Sequence, residues 1–267
     1  MTVRERTPGL NPPSMSTMRK TALVAGILYL LTYASSIPAA LLLGDTLANP
    51  DYILGAGADG QVRLAALFDI INGLTAFGTA VALYSVVKRQ HEGLAIGFVA
   101  SRLFEAAILF VGVLSVLAIA TLRETAASAD PTSMRTVGLS LTALYKLAFT
   151  LGTGVPALNA FLLGWLMYKS RLVPRAIPVI GLIGAPLFTS WIIGYVLGVT
   201  ERDTAWMAIG VAPIFIWELA LGLWMTFKGF SKAAPLMIEA AAQDASLDDP
   251  TTAPRPAVGI ATKAGAA

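Results

Sequence analysis

Between Leu94 and Leu122 lie 29 consecutive residues of which only Arg102 and Glu105 are charged. As a helix rising about 1.5 Å per residue, such a stretch is longer than the roughly 30 Å hydrocarbon core of a bilayer. Five more stretches are alike: Thr21 to Leu43, Val62 to Val87, Gly138 to Tyr168, Val173 to Gly198 and Ala205 to Phe227. They leave 13% of the 267 residues charged, against about 25% in an ordinary soluble domain, so a water-soluble fold of this size could not cover its own surface. The fold class this predicts is all-α, a polytopic bundle of six transmembrane helices, with the lipid bilayer as its first partner.

The flanks differ in kind. Residues 1–18, rich in Pro, Ser, Thr and Arg, read as a disordered N-terminal tail, and 231–267 as a disordered C-terminal tail in which Leu236 to Ala245 could form one short helix. Residues 19–230 form the six-helix domain between them. The first apolar run is longer than the 7 to 15 residues or so of a signal-peptide core, so it reads as a retained helix. Thirteen of the nineteen Lys and Arg residues fall on the N-terminal side of the spans. Four, Arg63, Arg123, Arg135 and Arg202, fall on the other. That bias predicts a bacterial plasma-membrane protein with both termini cytoplasmic. Tyr84, Trp165, Tyr168, Trp224 and Phe227 near inner ends, with Tyr145, Tyr195 and Trp206 near outer ones, read as interfacial anchors.

Several function classes drop out. There is no cysteine and a single histidine, His91, so neither a thiolate nor an imidazole metal site is expected, and no cofactor. The net charge of +3 sits at span ends and not along a stripe, which argues against a nucleic-acid partner. Gly55, Gly57 and Gly60 spell GxGxxG, but no strand precedes them, so nucleotide binding fails its context. Gly93 with Gly97, and Gly194 with Gly198, have the spacing that lets membrane helices approach closely, inside the bundle or in a homo-oligomer. No nucleophile elbow, zinc-protease or phosphate-loop motif is present, which leaves a membrane-embedded enzyme the weakest class.

Stretches spread from Arg19 to Phe230 carry a family resemblance. Among them are RKTALVAGILYLLTYASSIPA (Arg19 to Ala39), PDYILGAGAD (Pro50 to Asp59), GTAVALYSVVKRQ (Gly78 to Gln90), ASRLFEAAILFVGVLS (Ala100 to Ser115), SRLVPRAIPVIGLIGAP (Ser170 to Pro186) and PIFIWELALGLWMTFKGF (Pro213 to Phe230). The chain resembles a bacterial membrane family known only as domain of unknown function 4386. The resemblance implies a polytopic membrane protein and no reaction, and it places the family's recurrent arginine and glutamates at Arg102, Glu105 and Glu218.

Five ionisable residues lie inside spans: Asp69, Arg102, Glu105, Lys146 and Glu218. One left ionised at a bilayer centre costs at least about 2.5 kcal/mol, so such groups face inward and find partners. Counting helical rise from the inner ends puts Arg102, Glu105 and Glu218 at about 12, 17 and 15 Å, so the three can meet. Arg102 and Glu105 are also neighbours at i and i+3. Asp69 and Lys146 share a depth nearer the outer side and form a second expected pair, with Asn72 and Asn159 available to either network. Gly152, Gly154 and Pro156 interrupt the fourth span, Pro178, Gly181, Gly184 and Pro186 crowd the fifth, and Pro38 lies late in the first. Broken helices of this kind line substrate sites in many carriers. Two readings stay open: a small proton-coupled carrier or permease centred on Arg102, Glu105 and Glu218, its substrate a proton or small molecule, and a non-transporting scaffold or sensor in which the same charges hold helices together.

Overall fold

The structure, a computed structural model, describes residues 14–55, 59–124 and 129–248, and among them every regular element is a helix. The elements are α1 Met15–Ala48, α2 Asp59–Val87, α3 Glu92–Leu122, α4 Pro131–Gly152, α5 Val155–Ser170, α6 Ala176–Val196, α7 Ala205–Phe227 and α8 Pro235–Asp248. With α4 and α5 counted as one interrupted crossing, six spans are long and apolar enough to cross a membrane. Each of the six expected segments therefore coincides with one crossing. Gly57 of the glycine-rich run, residues 1–13 and residues 249–267 lie outside the described residues.

Neighbours in the chain pack in antiparallel fashion, α1 on α2, α2 on α3 and α6 on α7, because the joining segments are too short to allow otherwise. Further contacts of α3 with α5, α5 with α6, and α7 with α1 close these into a ring, against which α4 leans through α3. Two apolar cores fill it. One begins at the end that carries Met15 and α8 (the tail end), with Met18, Leu83, Phe98, Leu163 and Met225, and runs on between α6 and α7 through Trp217, Ile214, Phe188 and Trp191. The other, towards the α1–α2 and α3–α4 connections (the loop end), gathers Leu47, Ile53, Val62, Val113, Val116 and Ile119. The outer surface is also apolar: Leu41, Leu67, Phe104, Leu114, Ile193 and Phe227 are all more than half exposed. Side chains of that kind around a ring with polar groups in its middle invert the pattern of a soluble protein and suit a lipid solvent.

Element ends follow local chemistry. α1 begins at Met15, not near Arg19, because the Ser14 side chain accepts from Thr17 N and caps it. α4 begins at Pro131, seven residues before the expected Gly138, because Asp130 accepts from Ser133 N and proline suits the first turn. Those bonds from Ser133 hold the exposed Asp130 carboxyl below its ordinary value. The loop end is tied by Arg123, which pairs with Asp59 at 2.9 Å, lies 4.0 Å over the Tyr52 ring and donates to the carbonyls of Tyr52 and Gly55. Burial, and then its hydrogen bond to Asp59, pushes the Tyr52 hydroxyl above its ordinary value. At the tail end Lys88, Lys169 and Arg175 lie over Tyr84, Trp165 and Tyr168 at 5.2, 4.8 and 4.9 Å, so three of the aromatic anchors carry a cation.

Within the C-terminal segment expected to be disordered apart from one short helix at Leu236 to Ala245, α8 forms at Pro235–Asp248 and docks on the bundle. Leu236, Met237 and Ala240 are buried against the tail-end core, Ser231 N donates to Leu172 O at 2.8 Å, and Met15 N donates to Asp244 Oδ2 at 2.9 Å. A short Ala-rich segment that could not fold alone is held by these contacts with α1 and with the turn before α6. Replacing Met237 with Asp should cost at least about 2 kcal/mol by burying an unpaired charge. Ile238→Asp, on the exposed side, should be close to neutral. Thermal unfolding of both variants in detergent checks the difference, and equal melting temperatures would show that α8 does not dock.

Candidate functional site

The two cores are separate clusters, and beside them lies a polar cluster centred on the guanidinium of Arg102, 2% exposed on α3. Arg102 Nη1 donates to Glu105 Oε2 at 3.0 Å and Oε1 at 3.3 Å, one turn along the same helix. Its Nη2 donates to the Tyr29 hydroxyl of α1 at 3.2 Å and forms a hydrogen-bonded ion pair with Glu218 Oε1 of α7. Asn159 Nδ2 of α5 completes Glu105 with a 2.7 Å bond to Oε2. Three helices thus meet on one cation and a fourth on its partner Glu105, through charge-assisted bonds, the strongest kind in a low-dielectric interior.

Small residues make the convergence possible. α1 and α7 touch where Gly26 faces Gly222: a Cβ on Gly26 would fall 2.6 Å from Thr226 N and 2.9 Å from Gly222 O, and one on Gly222 would fall 3.0 Å from Tyr29 Cβ. That approach is open only to glycine. Tyr29 lies one turn beyond Gly26, and Glu218 one turn before Gly222, so the contact brings both to Arg102. α6 supports α7 in the same way, since Trp217 fills the groove left by Gly181 and a Cβ there would fall 2.7 Å from its ring. Gly194 likewise serves packing within the chain, its missing Cβ lying 2.9 Å from Trp206.

Beside the cluster is a cavity of about 190 Å³, lined from all six crossings. Arg102, Glu105 and Glu218 form its charged wall, with Thr32, Tyr33 and Ser36 from α1 and Asn72 from α2. Thr153 and Pro156 contribute the interrupted crossing, and Phe188, Val211, Ile214 and Phe215 the apolar side. The interruption is where the sequence put it: Thr153 N and Gly154 N turn back to Phe149 O and Leu151 O, and Pro156 has no N–H to give. Tyr33 donates to Phe215 O at 2.8 Å and meets the Phe215 ring edge-on at 4.7 Å, which ties the α1 and α7 sides of the cavity together.

Of the residues singled out from sequence, Arg102, Glu105, Glu218 and Asn159 form one cluster, and Asn72 lines its cavity. The second expected pair does not form. Asp69 is buried, 1% exposed, but its carboxylate interacts with Tyr145, and Oδ2 has no hydrogen-bond partner. Lys146, one residue on and so turned about 100° away, is exposed and borders a separate loop-end cavity of about 100 Å³ with Asn49, Tyr52 and Gly138. Equal depth had suggested the pair, but depth says nothing of the direction a helix face points. Tyr29 and Tyr33 were missed altogether. The signal was a polar-tipped pair at i and i+4 following Gly26 on one face.

A family described as domain of unknown function (DUF4386) matches residues 24–229, which contain every residue of this cluster and cavity. No curated protein and no solved structure matches the chain. The geometry makes Arg102 the member whose loss costs most. Arg102→Leu leaves two carboxylates buried without their cation, which should lower stability by about 3–5 kcal/mol. Adding Glu218→Gln should recover part of it, with a coupling of about 0.5–3 kcal/mol. Unfolding of the single and double variants in detergent measures this, and strict additivity would contradict the shared network.

Proposed function

Since the chain belongs to the family of domain of unknown function DUF4386, membership brings no activity with it, and we propose from the site itself that the protein is a small proton-coupled carrier or permease. Its place is the bacterial plasma membrane, with the tail end, rich in Lys and Arg, in the cytoplasm. The observation that carries the proposal is the cavity: a partly open space of about 190 Å³ reached by all six crossings, with both glutamates on its wall. Bundles that merely need cohesion fill such a space with side chains, since packing contributes to stability and voids do not.

The charges give the cavity something to do. Two carboxylates face one guanidinium, so the cluster holds one more negative charge than positive when all three are ionised. In a low-dielectric layer an unbalanced charge is costly, and taking up or releasing a proton removes or restores it. The interrupted α4–α5 crossing, together with Pro186 and Pro213 inside α6 and α7, supplies helices able to bend around the site. A second reading, a scaffold or sensor, is favoured by one observation: Arg102 spends both terminal nitrogens binding α1 and α7 to α3.

The two readings separate on neutral isosteres. In liposomes carrying the purified chain and a pH-sensitive dye, a solute screen should reveal proton-linked flux for the native protein. Glu105→Gln and Glu218→Gln, provided they elute as the native protein does, should abolish it. Flux that persists unchanged in both variants, or a native protein silent towards protons and every solute, would leave the scaffold reading in possession.

A further inference from the structure

Resting on the carrier reading, we infer that the ligand of the central cavity is a small organic cation, a primary amine or quaternary ammonium of a few heavy atoms, which exchanges with a proton at Glu105 and Glu218.

Sign comes first. The titratable or charged groups that face the carboxylates are Tyr29 and Tyr33 from α1 and Arg102 from α3. α2, α5 and α6 present Asn72, Asn159 and Phe188, none of them charged. Lys146, the other basic residue far from the ends of its crossing, borders the loop-end cavity instead. Arg102 is not available to an anion, because Nη1 and Nη2 are engaged and Nε is buried without access. Glu218, by contrast, is held through Oε1 alone among the described bonds, which leaves Oε2 to accept. An anion would add to the surplus, and a neutral solute would leave it.

Lining then separates an organic cation from a metal ion. A bare cation such as Ca²⁺ needs about six to eight oxygen ligands at short range. No group of three or more His, Cys, Asp or Glu among the described residues could hold a metal, and one side of the cavity is Phe188, Ile214 and Phe215. Aromatic faces are poor ligands for a hydrated ion but attract an ammonium group within about 6 Å of a ring centre. Thr32 donates its hydroxyl to Tyr29 O, so its lone pairs are what it can offer a guest, the polarity an N–H donor requires. Size sets the limit: about 190 Å³ is below the roughly 300–1,000 Å³ of a drug-sized site. The exchange balances, since one ammonium charge enters as one proton leaves a glutamate.

The test is equilibrium binding to the full chain in detergent, separate from any flux assay. Ethylammonium and tetramethylammonium, titrated at fixed ionic strength with sodium as the counterpart, should raise the melting temperature saturably. Calorimetry in two buffers of different ionisation enthalpy should show about one proton released per cation bound, with weaker binding at pH 6 than at pH 8. Glu218→Gln should remove the proton release. Phe215→Leu, which keeps every charge, should weaken ammonium binding about threefold to tenfold and covers the case in which the glutamate variant does not fold. Equal stabilisation by sodium alone, binding of acetate or glycerol in place of the ammonium ions, or Phe215→Leu binding as the native chain does would each overturn the inference. Proton-linked flux of an anionic or neutral solute would overturn it while leaving the carrier standing. Ammonium binding without flux would do the reverse.

Discussion

Everything in this bundle turns on satisfying one guanidinium away from water. An arginine in a span is costly unless donors and charge are met, and Arg102 cannot be met from its own helix alone. Glu105 supplies one turn of help. The remainder has to come from Tyr29 on α1 and Glu218 on α7, with Asn159 on α5 completing Glu105. In lipid the greasy faces of helices have little reason to prefer one another to acyl chains, so polar bonds and close small-residue contacts decide which helices meet. The ring order, in which α7 returns to α1 and α5 lies beside α3, is the order that lets Tyr29 and Glu218 reach Arg102 and Asn159 reach Glu105.

Gly26 and Gly222 show how the polar and steric devices depend on each other. The α1–α7 crossing is so close that neither position has room for a side chain, and the residues one turn away on each helix are Tyr29 and Glu218. Close approach without the hydrogen bonds would be one packing among several. The bonds without the approach would be out of reach. The site and the fold are therefore not separable here: a change at a packing glycine one turn from Glu218 would alter the position of that glutamate.

Length and hydropathy made the six crossings legible, because a bilayer imposes a minimum apolar run and a tally of charges finds its limits. The helix ends were less so. Asp130 with Pro131 extended α4 outward by a turn or two, a capping signal that apolar counting passes over. The cluster of Arg102, Glu105 and Glu218 was legible because depth along a helix is simple arithmetic and opposite charges must meet somewhere. Asp69 and Lys146 show where that arithmetic stops. Both had the right depth, but a residue's azimuth is set by what its helix packs against, and α4 presents Tyr145 to Asp69 and Lys146 to the outside. The short helix at α8 was legible, but its docking depended on a tertiary surface that composition cannot display. The cavity was invisible for the same reason, being a property of six helices at once.

The surroundings of the cavity are also where prolines interrupt the helices. Pro156 opens α5 beside the cavity, Pro186 lies two residues from Phe188, Pro213 one from Ile214, and Pro38 two from Ser36. A proline removes one ladder bond and holds its turn open, so bending concentrates there. The ends are tied, the loop end by Arg123 and the tail end by Arg19, which donates to the carbonyls of Met225 and Thr226 at the end of α7. On the carrier reading, a tilt at these turns would be felt most by the groups around the cavity. A change in the charge of Glu105 or Glu218 would alter the bonds that join α3 to α1, α5 and α7. Conversely, a tilt that parts α7 from α3 separates Glu218 from Arg102. On the proposed carrier reading, proton occupancy and helix angle would be two descriptions of one equilibrium, the physical coupling a carrier requires and a scaffold has no use for.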